Sequence, residues 1–334
     1  MRMAAIGITA LIIILVLAGI AYYAIGGNQK PEPTITVATI QFGISTLDLI
    51  QEGVVKPYGI NVKAMRIQLA PDVATALLKG DAQVAILPVD VAAKLFEAGK
   101  DITIIAVDMY QNQAILVPVN SSIKDPSMLK GRTVASPIAS GTFAMFKSYM
   151  KALYNLTVLN PGEQGDGVMV VNTPPAQALD AVAKGDADAA VVWEPIVSQA
   201  LASGKYKIIA SFQDMWGRIG YPGKPVMIVW VARGDWVRSH PEQVEKLLEA
   251  RREAALAWTG NRAATINALE KLYGLQGKVL NILYNRTLIC TDKTITPELQ
   301  DSIRHVLHLA MLGGYIETDQ INYNEFIYVP QGNS

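Results

Sequence analysis

Thiol and imidazole are scarce in this chain: one cysteine, Cys290, and three histidines, His240, His305 and His308, stand in 334 residues. A lone cysteine excludes an intrachain disulfide, and its position far downstream excludes lipid attachment near the N-terminus. His305 and His308 share a helix face, but no third ligand stands at metal-site spacing, so solvated surface is the expectation and no metal is assigned. Charge of one sign is missing too: 29 Lys and Arg balance 29 Asp and Glu. That balance argues against nucleic acid or a polybasic membrane surface as partner. There is no P-loop, no nucleophile elbow and no paired acidic motif at strand ends. The chain therefore reads as a binder rather than an enzyme, with no cofactor.

What the chain has is apolar: about half of it is hydrophobic. Ala4 to Ile25 carries no charge and, as a helix, would span roughly 33 Å, enough to cross a hydrocarbon core of about 30 Å. Arg2 before it orients the N-terminus inward, and Tyr22 and Tyr23 suit the outer interface. The expectation is a cytoplasmic N-terminus at 1–3, a transmembrane signal-anchor at 4–25 and a Gly/Pro-bearing tether at 26–33, with the remainder outside a cell membrane that it crosses once. A cleaved signal peptide is the rival reading.

Beyond the tether, one pattern occurs twice. Lys79-Gly-Asp-Ala and Lys184-Gly-Asp-Ala each close an alanine-rich helical stretch, with Gly80 and Gly185 suited to the left-handed position after the last turn. A short apolar run follows each, Ala82–Leu87 and Ala187–Trp193, of the length of a strand buried on both faces. A proline, Pro88 or Pro195, then permits a new helix. Two such half-crossovers imply two similar lobes with a cleft between them.

Taken in order, Thr34–Ile40, Val62–Leu69, Ile102–Asp108 and Ala114–Val119 read as strands alternating with helices, so a mainly parallel sheet is predicted. A second lobe begins near Asn120, with strands at 168–172 and 206–212 and a helix over Phe143–Leu153. Val226–Ala232 reads as the strand returning to the first lobe. Helices at 241–258, 262–273, 278–284 and 297–311 finish the chain. Trp216 and Arg218 fall in what reads as a loop.

The motifs Leu129-Lys-Gly-Arg-Thr-Val-Ala135, Ser140-Gly-Thr142 and Ala187-Asp-Ala-Ala-Val-Val-Trp-Glu-Pro195, with the tail Asn322-Tyr-Asn-Glu-Phe326, resemble the substrate-binding proteins of nitrate/sulfonate/taurine-type ABC importers. The resemblance covers residues 34–328. It implies an α/β, two-lobed type II periplasmic-binding-protein fold with two crossover strands, Ala114–Val119 and Val226–Ala232, acting as the hinge. The lobes would be 34–116 with 229–334, and 117–228. It also implies a monomeric receptor that captures a small anion and delivers it to a permease and an ATPase.

In open α/β sheets, ligands sit beyond the carboxyl ends of the strands. The candidate residues follow from those exits: Gln41, Ser45 and Thr46; Pro88 and Asp90; Ser136, Ser140, Gly141 and Thr142; and Trp193 and Glu194. Free N–H groups and hydroxyls at a helix start make an anion cradle without any arginine. Ser140 or Thr142 capping its own helix fits the sequence equally well, and the same holds for Ser45 and Thr46. Trp193 would be a wall or a core residue. Glu194 and Asp90 would stabilise helix starts or meet a ligand ammonium, as in an amino-sulfonate. Phe42, Gln111, Trp216 and Arg218 are weaker candidates from loops, Arg218 as a second contact to an anion. Two other readings stand beside this one. One is a receptor for a heteroaromatic vitamin precursor, stacking on Trp193 and Trp216. The other is a pyrimidine-biosynthetic enzyme of the same fold, whose cysteine-rich motif is missing here.

Overall fold

The structure, a computed structural model, describes residues 31–68 and 70–330. The segment expected to cross a membrane, 4–25, lies outside the described residues. Among the described residues no helix is long and apolar enough to cross one.

The first lobe opens with β1 (Thr34–Ile40), α1 (Leu47–Gln51), β2 (Asn61–Ile67), α2 (Ala70–Lys79), β3 (Val84–Pro88), α3 (Val89–Glu97) and β4 (Ile102–Tyr110). The second lobe comprises β5 (Ala114–Pro118), a helical turn at Pro126–Leu129, β6 (Thr133–Ser136), α4 (Gly141–Tyr154) and β7 (Met169–Asn172). It continues with α5 (Ala178–Lys184), β8 (Ala189–Val192), α6 (Ile196–Ser203), β9 (Tyr206–Ser211) and α7 (Phe212–Ile219). The chain returns through β10 (Val226–Arg233) into α8 (Gly234–Ser239), α9 (Pro241–Gly260), α10 (Arg262–Tyr273), α11 (Lys278–Arg286), α12 (Pro297–Leu312) and α13 (Tyr323–Phe326).

Two five-stranded sheets result, in the orders β2-β1-β3-β10-β4 and β7-β6-β8-β5-β9. Each is parallel through its crossover units and antiparallel around the one strand that arrives from the other lobe. β10 runs antiparallel to β3 and β4, and β5 antiparallel to β8 and β9. The mainly parallel reading is interrupted there because both strands reach their sheets from the other lobe, arriving without a crossover helix. The repeated Lys-Gly-Asp turns are as the sequence predicts: Gly80 and Gly185 have φ of 84° and 82°.

The segments expected to be the hinge are not linkers. All of β5 pairs in the second sheet and all of β10 in the first. Boundaries placed at 116/117 and 228/229 would cut both strands; the connections between the sheets are residues 111–113 and 220–225. The polar Gln111-Asn-Gln113 and the Gly/Pro-bearing 220–225 precede the apolar runs, which begin only where β5 and β10 begin. α7 and α8 also escaped the sequence reading, being short helices at the ends of strands.

The outer edge of β4 is covered. Ile104 bridges Ile327 and Met109 bridges Ile289, so the tail and the segment after α11 seal that edge from solvent. Arg251, on α9, pins this seam: it is buried, and its guanidinium donates to the carbonyls of Val107 and Cys290 at 2.8 Å and to that of Asp292. Nearby, Asp108 accepts from the Trp230 indole at 2.8 Å and from the backbone and hydroxyl of Thr46. Truncating the guanidinium would strand the buried carbonyls of Val107 and Cys290 and leave Asp108 without its neighbouring positive charge. Arg251→Ala is expected to cost roughly 3 kcal/mol, read as a lower urea midpoint. A midpoint within error of the unsubstituted protein would remove Arg251 from the account of stability.

Candidate ligand-binding cleft

The exits of the parallel strands converge where the lobes face one another. β1 leads into Ile40–Ile44, β3 into Pro88 and α3, β8 into Trp193 and Glu194, and the loop after β6 into α4. These segments, with Met109, Asn112, Gln113, Met227 and Ile228, wall a cavity of about 90 Å³. Its surface is mostly apolar. A second, polar space of about 190 Å³ adjoins it, sharing Asn112 and Gln113 and reaching Gln111, Gln213 and Arg286. A larger open groove of about 920 Å³ belongs to the first lobe alone, around Asp101, Arg238 and the 324–330 tail. It contains none of the candidate residues.

Ser140, Gly141, Thr142, Pro88, Trp193 and Glu194 line the cavity, as the strand-exit argument expects. Ser140 is the N-cap of α4: its Oγ accepts from the Phe143 N–H at 3.2 Å and donates to the Pro137 carbonyl at 2.6 Å. Its hydroxyl is thereby engaged. The N–H groups of Gly141 and Thr142, in the first turn, have no intrahelical acceptor, and fourteen residues of aligned dipole stand behind them.

Glu194 is buried, and its carboxylate is neutralised internally. Oε1 accepts from Arg286 Nε at 2.6 Å and Oε2 from the Ser198 N–H at 3.0 Å. Burial pushes its pKa up, against the Ser198 and Arg286 contacts that pull it down. Because Arg286 ends α11 and Glu194 precedes α6, this pair ties the helical return to the second lobe. Arg286 also donates to the Asn112 carbonyl in the first linker at 3.3 Å.

Other candidates lie elsewhere. Thr46 spends its hydroxyl and N–H on Asp108, and Ser45 is fully buried, its N–H held by Asp48 Oδ2 at 3.1 Å. Ser136 is buried with its Oγ donating to the Val191 carbonyl at 3.3 Å. Gln41 is exposed beside the cavity wall and does not line it. Trp216 is buried in α7, its indole donating to the Gly223 carbonyl at 3.2 Å. Arg218 is exposed and engaged with Tyr154 and Asp125. Both therefore stand away from the cleft: the short helix α7, which reads as loop in the sequence, turns them outward and into the core. Sequence reasoning missed Asn112, Gln113, Met227 and Arg286. Asn112 and Gln113 are signalled only by their place in the first linker, Met227 by its place at the start of β10, and Arg286 carries no local motif.

Asp90 is the candidate with the most unusual environment. It is fully buried in the first turn of α3; Oδ1 accepts from the Val91 N–H at 2.9 Å and Oδ2 has no partner. Burial pushes its pKa up to about 7, opposed by backbone N–H groups and by Lys94. Across the seam is Gly141. A Cβ there would stand 2.6 Å from Pro88 Cβ, 2.8 Å from Asp90 Oδ1 and 3.0 Å from Met227 Cε. The starts of α3 and α4 thus meet at a glycine that admits no side chain.

A cavity walled by strand exits of two such lobes, joined by a pair of short linkers, defines a type II periplasmic-binding-protein fold. The chain belongs to the NMT1-like family, whose profile matches residues 29–273. It is 26% identical over 262 residues to the taurine-binding periplasmic protein of Escherichia coli (strain K12), covering 75% of this chain and 76% of that one. Its fold is similar to that of the periplasmic aliphatic sulphonate binding protein SsuA from Escherichia coli, with a TM-score of 0.72 at 18% identity over 90% of this chain and 93% of that one. The alkanesulfonate-binding protein SsuA from Xanthomonas axonopodis pv. citri, bound to MOPS, gives a TM-score of 0.71 at 15% identity, covering 90% and 99%. These relatives are binding proteins rather than enzymes.

Gly141→Ala tests the seam. Alanine suits a first helical turn, so the second lobe should fold unchanged, while its methyl overpacks the closed seam by about 1–3 kcal/mol. The expected result is about tenfold or weaker ligand capture with an unaltered circular dichroism spectrum. Undiminished affinity would show that the lobes do not close through this contact.

Proposed function

We propose that this chain is the extracytoplasmic solute receptor of an ABC importer, and that it captures a small organic monoanion of the sulfonate or taurine class in the interlobe cavity. The observation that carries the reading is the unpartnered first turn of α4 at the cavity wall, between Ser140 and Thr142. Oriented backbone N–H groups and the helix dipole suit one delocalised negative charge. No free guanidinium supplements them among the lining residues, since Arg286 is paired with Glu194. That favours a singly charged group over a doubly charged one.

The walls support one part of the anion class over another. Ile44, Leu87, Met109, Met227 and Trp193 offer an apolar surface to a ligand stem. Nitrate has no stem to bury there, whereas each buried CH₂ of an alkanesulfonate adds about 0.8 kcal/mol. The names of the relatives agree with this preference. The heteroaromatic reading loses one of its two stacking faces, because Trp216 is 2% exposed and committed to Gly223.

Capture would be a hinge closure about the linkers 111–113 and 220–225, with the ligand favouring the closed arrangement. A permease and an ATPase would be the partners. A membrane-spanning helix at 4–25 would hold the receptor at the outer surface.

A thermal-shift screen of residues 31–334 against nitrate, taurine, alkanesulfonates and pyrimidines tests the proposal. At a hundred times Kd, a true ligand adds about 2.7 kcal/mol, a shift of several degrees. Alkanesulfonates or taurine should give it and nitrate should not. Stabilisation by a pyrimidine alone, or by no small anion, would overturn the sulfonate reading.

A further inference from the structure

The acid at the seam has a consequence for charge selection, given the anion reading of the cavity. Pro88 and Gly141, on either side of Asp90, both line the cavity. The carboxyl is therefore set against the same first turn of α4 that would hold the ligand's oxyanion. Its Oδ2 has no hydrogen-bond partner although the residue is fully buried. The ionisable groups facing it are Lys94 on its own helix and Tyr315 beyond α12; α4 presents only the backbone of Gly141 there, and β10 the thioether of Met227. Lys94 does not neutralise it by contact, for its ammonium is turned to the Tyr315 carbonyl at 3.3 Å and lies over that ring at 4.6 Å.

We propose that Asp90 is the charge-selecting residue of the cleft: it admits a simple anion only with its carboxyl neutral, and admits a zwitterion with its carboxylate ionised and facing the ligand's ammonium. Two negative charges cannot share one helix start in a dry seam, whereas one can. A simple alkanesulfonate consequently brings a proton from solvent onto Asp90 when the lobes close. An amino-alkanesulfonate brings its own compensating charge and needs none.

The sign follows from the protonation states. With the seam parted, water would reach Asp90 and return it toward the ordinary aspartate value of about 4. In the closed form burial holds it at about 7. Binding of a simple anion is then strongest below the first value and weakens as pH rises toward the second, by about tenfold per pH unit.

Titration calorimetry with ethanesulfonate and taurine, between pH 5 and 7 and in buffers of different ionisation enthalpy, tests this. Ethanesulfonate should bind roughly 50-fold more weakly at pH 7 than at pH 5, and take up close to one proton at pH 5 to 6, falling to about half at pH 7. Taurine should show neither effect. In Asp90→Asn the slope for ethanesulfonate should vanish and taurine should weaken about tenfold. The wild-type proton count stands even if that variant fails to fold. Ethanesulfonate binding with a flat pH profile and no proton uptake would overturn the role of Asp90 and leave the anion site intact. A slope that survives in the variant would do the same. Binding of neither ligand at any pH would overturn the anion reading and this inference with it.

Discussion

Everything in the cleft depends on how closely two helix starts approach. α3 begins at Val89 and α4 at Gly141, and their first turns meet with room for a hydrogen but not a methyl between Pro88, Asp90 and Met227. That contact sets the distance between the lobes and so the size of the cavity beside it. It also dries the seam, which strengthens every electrostatic interaction there. A glycine at the second position of Ser140-Gly-Thr142 is needed for this approach rather than for a special backbone angle, since its φ is not among the positive ones.

The lobes are separately braced so that the seam can be their common variable. Linker 111–113 is gripped from the second lobe: the Tyr149 hydroxyl donates to Gln111 Oε1 at 2.6 Å and the Gln213 amide to the Gln111 carbonyl at 2.6 Å. Linker 220–225 is gripped from α12, where Ser302 donates to the Lys224 carbonyl at 2.7 Å and accepts from the Val226 N–H at 3.1 Å. His305, on the same helix, stacks on Tyr221 with ring centroids 4.1 Å apart. Bending at these linkers, as proposed, would leave both sheets undisturbed, because β5 and β10 pair within them.

Much of this was legible in the sequence, and the reasons are specific. The repeated Lys-Gly-Asp turns are local chemistry, glycine in a left-handed position after a helix, so they were found with their strands. The cavity residues at 88, 140–142 and 193–194 follow from strand exits, a rule about topology. What failed was anything settled by distant partners. Thr46 looked like a cradle hydroxyl until Asp108, 62 residues on, claimed it. Glu194 looked free to meet an ammonium, and its partner Arg286 lies 92 residues away. Pairing at such separation leaves no periodicity to read.

Those pairings also bear on what the proposed cleft would recognise. Asp48 is matched by Arg66, with Tyr273 donating to the same carboxylate; Asp108 sits beside Arg251 and Glu194 beside Arg286. Each of these buried acids has its cation within the protein, which is the arrangement that makes a buried charge tolerable. Asp90 departs from it, with a free oxygen and a lysine that points away. A carboxyl in that position is a cost to the closed state unless a proton or a ligand cation answers it. The dipole of α4 and this one acid are thus the uncommitted charges at the seam, equal in kind and opposite in sign. A ligand that satisfies both must carry an anionic end for the helix and a donor for the acid, separated by a short apolar stem against the Ile, Leu and Met walls.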